Sequence, residues 1–151
     1  MELKNVTMTF GCKTVEELCK NREEYFSEEL EKQTDPWWIG NCSGSRETWR
    51  FIGATLEAKG EDIFPIFLAE GYMTALNDEA VAVRSDSTGD DRGLYNDLAL
   101  KGLSDRMCGF IAGQKSVYKR VLLDIHREDL VNLVDEGKFD PEQYMASMMG
   151  R

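Results

Sequence analysis

The residues best placed to do chemistry are Gly40-Asn41-Cys42-Ser43-Gly44. This G-x-C-x-G segment follows the short apolar run Trp37-Trp38-Ile39 and precedes a helical pattern. Glycines flanking a nucleophile permit the strained turn of a nucleophile elbow, and a following helix N-terminus stabilises a thiolate. A cysteine nucleophile also needs a base. His126 is the single histidine of the chain, with Asp124 or Glu128 close by in sequence to orient it. The plainer reading is a turn. Gly, Asn and Ser are turn residues, and a free cysteine usually packs as a small buried hydrophobe. Cys42 and His126 are therefore candidates for a thiol hydrolase, and no catalytic residue is assigned.

Asn41-Cys42-Ser43-Gly44 resembles the nucleophile segment of NlpC/P60-type cysteine peptidases, which carry Cys-Ser-Gly at a helix start. The resemblance spans residues 41–44. It implies a Cys42 nucleophile at a helix N-terminus. Asn41 stands where that family has Asp, and no glycine-rich strand with a histidine at its start follows. The likeness is local, and membership does not follow from it.

Other chemistry is less well supplied. Asp86, Asp90, Asp91 and Asp97 do not follow the D-x-D-x-D-G spacing of a calcium loop, which leaves a solvated loop. Cys12, Cys19, Cys42 and Cys108 are scattered with no C-x-x-C, so a structural zinc site is not supported. Gly109-Phe110-Ile111-Ala112-Gly113 lacks the lysine of a phosphate-binding loop. No metal and no cofactor is called for. Trp37-Trp38 is a second kind of candidate. Neighbouring tryptophans point in different directions, so one fills the core and the other is free to anchor a partner, a role in which Trp is enriched. Met145, Met148 and Met149 supply either core packing or an adaptable contact surface.

Charge limits the partners further. The 151 residues carry 18 Lys+Arg against 28 Asp+Glu, a net −10. Affinity for nucleic acid comes mostly from cations neutralising phosphates, and the densest basic pair here is Lys119-Arg120. Direct nucleic-acid binding and attachment to an anionic membrane are thus disfavoured. Association with a basic partner is favoured. No apolar run approaches the ~18 residues of a membrane span, and Met1-Glu2-Leu3-Lys4 lacks the apolar core of a signal peptide. A cytoplasmic protein with reduced thiols is expected.

The elements that must position these residues read as mostly helical. Val6, Met8 and Phe10 alternate with polar residues as a strand. Thr14-Val15-Glu16-Glu17 is a capping box opening a helix with Val15, Leu18, Cys19, Phe26 and Leu30 on one face. Its residues from Thr14 to Lys32 include seven Glu against Lys20, Arg22 and Lys32, a net −4. Asp35-Pro36 should break that helix. Ser45 is read as the cap of a helix through Lys59. A helix capped by Asp62 carries Phe64, Phe67, Leu68, Met73 and Leu76, with Gly71 weakening it. Ala80–Val83 could be a strand or the end of that helix, and 84–93 is read as a polar loop. Leu94 to Ile111 reads as a helix. Val117–His126 suits either a strand or a helix, and its β-branched content tips it to strand. Asp129 to Glu136 is a short helix closed by Gly137. Asp140-Pro141-Glu142-Gln143 starts a terminal helix with its cap, N1 proline and N3 glutamine in order.

The expectation is one α+β domain over 1–151, mostly helical with two or three short strands. Its expected function is that of a non-enzymatic acidic interaction module. Inhibitors or immunity-type proteins that occlude a basic, for example nucleic-acid-binding, surface of a partner work this way. The binding residues would be Glu16, Glu23, Glu24, Glu28, Trp37 and Trp38. The alternatives are a structural or assembly subunit that self-associates as a homo-oligomer, and a hydrolase using Cys42 and His126.

Overall fold

The computed structural model describes residues 14–59, 64–88 and 98–149. These form six helices: α1 (Val15–Lys32), α2 (Pro36–Lys59), α3 (Phe64–Thr88), α4 (Leu98–Asp124), α5 (Glu128–Asp135) and α6 (Pro141–Met149). There is no strand among the described residues, so the fold is an all-helical bundle and the α+β expectation is corrected. The expected strand at residues 5–10 lies outside the described residues. Ala80–Val83 belongs to α3, and Val117–His126 is the end of α4 and the turn after it. The reason is burial. Val117, Val121, Leu122 and Ile125 are all within 4% of full burial while Leu123 is 37% exposed. That is the 3.6-residue face of a helix, not the alternate-residue face of a strand.

Local signals set the helix ends. The Thr14 hydroxyl accepts from the Glu17 amide at 3.1 Å, as the capping box requires. Asp35 Oδ1 accepts from the Trp37 and Trp38 amides at 3.0 and 3.3 Å, so α2 starts directly at Pro36. Proline suits a first helical position because its missing N–H would have no intrahelical partner. Asp35-Pro36 thus ends one helix by starting the next. Asp140 Oδ1 caps α6 in the same way, through Glu142 and Gln143. Gly137, at φ 70, closes α5 in the left-handed conformation that glycine adopts without strain.

The core joins α1 to α5. Leu18, Ile52, Phe64, Leu68, Leu122 and Leu130 are at most 2% exposed, each worth about 1.5–3 kcal/mol on burial. Two features fix the arrangement of α1 and α2. Arg50 Nε donates to Glu23 at 2.8 Å, and Gly53 faces Cys19, so the two run antiparallel. Helix α3 runs antiparallel to α4, with Gly71 beneath the Tyr118 ring and Lys115 paired to Glu79 at 2.8 Å.

The α2–α4 contact is of a different kind. A Cβ built on Gly40 would overlap the Arg106 carbonyl, and one on Gly44 the Phe110 carbonyl. A Cβ on Gly109 would overlap the Trp37 carbonyl, and one on Gly113 would crowd the Asn41 carbonyl and Ser45. Two pairs of glycines at four-residue spacing therefore bring the helices backbone to backbone, the packing that small residues permit. Since Gly40 meets Arg106 and Gly44 meets Phe110, α2 and α4 run in parallel.

Candidate interaction surface

The G-x-C-x-G segment is helix interior, not a turn. Residues 40–44 sit in the first half of α2, and Ser45, read as a cap, is buried within the same helix. The two glycines serve the seam with α4 and free no nucleophile. Cys42 is 5% exposed. Burial, then the nearby Glu29 carboxylate, push its thiol pKa up, the opposite of what an activated cysteine needs. His126 is exposed at φ 61 in the turn after α4. Cys42 lies level with α4 residues between Arg106 and Phe110. At 1.5 Å per residue the end of α4 is roughly 20 Å further along the bundle. The structure does not bring the pair within reach. Asp124 is buried and paired with Arg120 at 3.4 Å, and Glu128 is exposed at the start of α5.

No group of three or more His, Cys, Asp or Glu side chains among the described residues could hold a metal ion. Asp90, Asp91 and Asp97 lie outside the described residues, and Asp86 falls in the last turns of α3. Cys19, Cys42 and Cys108 are in no disulfide. No helix among the described residues is long and apolar enough to cross a membrane.

The acidic residues of α1 divide into two sets. Glu24 and Glu28 are exposed on its outer face. Glu16 and Glu23 border a groove between α1 and α2 that is also lined by Lys20, Trp49, Arg50 and Gly53. Glu23 is engaged by Arg50, which also binds Glu47 at 3.2 Å. Arg50 thereby pairs with Glu23 across the groove and with Glu47 on its own helix, while Glu57 also lines the α2 side. Lys32 pairs with Glu29 at 3.4 Å. Glu16, Glu24 and Glu28 enter no ion pair among the described residues. The antiparallel register puts Glu28 in the first half of α2, level with Ser45, and Glu16 near its far end. Trp37 and Trp38 pack edge to face with centroids 4.7 Å apart. Trp37 lies half-buried at the glycine seam, and Trp38 is 52% exposed. Neither ring belongs to the buried core, so the expectation that one of them fills it is not met. Met145 packs half-buried against the core.

A second surface has no counterpart in the sequence reading. Phe51 of α2, Phe67, Glu70, Gly71, Thr74, Ala75 and Asp78 of α3, and Gln114 and Tyr118 of α4 line an open groove of about 340 Å³. Phe51 is 53% exposed. The one available signal was Gly71 in the middle of an apolar helix, a sign that something approaches the backbone there. The approaching group is the Tyr118 ring.

No protein-family model matches the chain, and no curated protein or solved structure is significantly similar to it.

Proposed function

We propose that the protein is an acidic docking module that binds and occludes a basic surface of a protein partner, in the manner of an inhibitor or immunity-type protein. The observation that carries this reading is the outer face of α1. Among the described elements α1 packs against α2, and Glu16, Glu24 and Glu28 are left exposed with no cation paired to them. Negative charge on a helix supported along one side steers a basic partner and sets the encounter rate. Trp38 at the start of α2 supplies an apolar anchor beyond the C-terminal half of α1. A cytoplasmic setting with reduced thiols belongs to the same proposal.

The test has two steps. Basic proteins retained on the immobilised chain at low salt are identified, and one is purified for association kinetics. Its association rate should fall steeply with ionic strength. Glu16→Gln/Glu24→Gln/Glu28→Gln should slow it while leaving the dissociation rate nearly unchanged. Association that is insensitive to salt overturns the proposal.

A second reading, self-association, is favoured by the exposed rings of Trp38 and Phe51. The net charge of −10 opposes it, because like-charged copies repel. Sedimentation at rising protein concentration separates the two readings: a monomer throughout removes the second.

A further inference from the structure

We infer that the groove between α2, α3 and α4 receives an arginine side chain from a basic protein partner. This rests on the docking role proposed above but assigns it a second surface, to which α1 contributes no residue.

The argument begins with the walls. Phe51, Phe67 and Tyr118 come from three different helices and meet at one end of the groove. Phe51 and Tyr118 also roof the narrow space above Ile52, Thr55 and Phe64, so the aromatic end stands directly on the core. Gly71 lets the Tyr118 ring approach the backbone of α3, since any Cβ there would overlap the ring. The floor is Ala75, which is 2% exposed. An apolar stem can lie here without leaving a buried polar group unpaired.

The charge on the rim selects the head group. Glu70 and Asp78 are exposed, line the groove, and make no ion pair or hydrogen bond among the described residues. Eight residues separate them on α3, about 12 Å at 1.5 Å per residue. Lys115, next to Gln114 on α4, is held by Glu79 at 2.8 Å and is not free to neutralise them. The groove thus combines aromatic faces with two unpaired carboxylates and a polar lip of Thr74 and Gln114. Arginine matches all three. Its methylenes pack on apolar surface, and its planar guanidinium stacks on aromatic rings. Its fixed fork of donors pairs with carboxylates and amide oxygens. Lysine, a compact and strongly hydrated point charge, gains less from the aromatic end.

The experiment is an NMR titration of the full chain with N-acetyl-arginine methylamide, with the citrulline analogue as the uncharged isostere. Saturable shifts at Phe51, Phe67, Ala75 and Tyr118 are expected with arginine. The citrulline compound should bind at least about tenfold more weakly, because it lacks the charge-assisted hydrogen bonds. Glu70→Gln/Asp78→Asn should weaken the arginine response about tenfold with the remaining spectrum unchanged, and Phe51→Ala should weaken it independently. Equal shifts from both compounds, or arginine shifts that map to α1, overturn the inference. The α1 triple variant keeps the two proposals apart. It should slow association with the basic partner yet leave the arginine shifts at Phe51 and Tyr118 unaltered. If the partner's association remains salt-dependent while arginine fails to enter the groove, only the groove assignment is lost.

Discussion

Helix α4 meets its two long neighbours by opposite means. Against α2 the contact is backbone on backbone, with Gly40, Gly44, Gly109 and Gly113 each facing a carbonyl of the other helix or, for Gly113, a carbonyl and the buried Ser45. Against α3 the contact is made by long side chains, Tyr118 lying over Gly71 and Lys115 reaching Glu79. Carbonyls anchored in helical hydrogen bonds cannot move aside, whereas a ring at the edge of an open groove can swing. The first interface therefore fixes geometry and the second can adapt. Of the groups proposed to meet a partner's arginine, Phe67, Glu70, Asp78 and Tyr118 sit along the adaptable one, and Phe51 reaches it from α2.

The largest expected effect comes from breaking the rigid interface. Gly44→Ala places a methyl group against the Phe110 carbonyl, and α2 and α4 must separate to admit it. Overpacking of this kind costs about 1–3 kcal/mol, and the helix propensity gained by alanine, up to ~1 kcal/mol, only partly offsets it. Urea denaturation should show a lowered midpoint. Gly44→Ala combined with Gly109→Ala sharpens the point. Once the seam has opened for one methyl the second is partly accommodated, so the double variant should lose less than the sum of the singles. A midpoint equal to or above that of the parent chain for Gly44→Ala would show that the seam does not limit packing.

An intermediate effect is expected where α3 is tied to α5. The Tyr72 hydroxyl donates to Asp135 Oδ1 at 2.6 Å. Burial, then that carboxylate, hold the Tyr72 pKa well above its ordinary value. The unfolded chain releases this proton near pH ~10, before the folded one does. The contribution to stability is therefore whole below about pH 10 and is lost as pH rises beyond it. Tyr118, whose pKa burial also raises, acts in the same direction. Tyr72→Phe should cost about 1 kcal/mol at pH 7, at the modest end because exposed Asp135 stays hydrated. It should also flatten the loss of stability above pH 10, leaving the Tyr118 share. An alkaline slope unchanged in Tyr72→Phe would mean that Tyr72 does not carry it.

These contrasts show which parts of the molecule were legible in its sequence. The caps at Thr14 and Asp140 and the stop at Gly137 were, because each is written within four residues and needs no tertiary partner. The face of α1 was legible in part: Glu16, Glu24 and Glu28 are exposed, while Glu23 is turned to Arg50 of α2, a tertiary contact that local spacing does not show. The strand reading of Val117–His126 failed because β-branched residues fit a helix once a core covers one face, as it does at Val117, Val121 and Ile125. The turn reading of Gly40–Gly44 failed for a related cause. Glycine marks either a turn or a close approach, and only the partner helix tells which. Its signature, Gly-x-x-x-Gly at 40–44 and again at 109–113, was present in the sequence. Each pair acquires meaning only when the other is known to face it. The groove was less visible still, since Phe51, Gly71 and Tyr118 come from three helices.

The smallest effect on stability should be the most telling about recognition. Gly71→Ala collides with the ring of Tyr118, a side chain, where Gly44→Ala collides with backbone. Tyr118 is half-buried beside the open groove and has room to turn. The ring displacement and the helix propensity gained by alanine nearly cancel, so stability should stay within about 0.5 kcal/mol of the parent chain. The displaced ring, however, would occupy the space proposed for arginine. Gly71→Ala should thus weaken the arginine response while leaving the urea midpoint almost unmoved, the reverse of Gly44→Ala. If Gly71→Ala destabilises as much as Gly44→Ala, the α3–α4 interface is as rigid as the glycine seam and the difference drawn between them disappears.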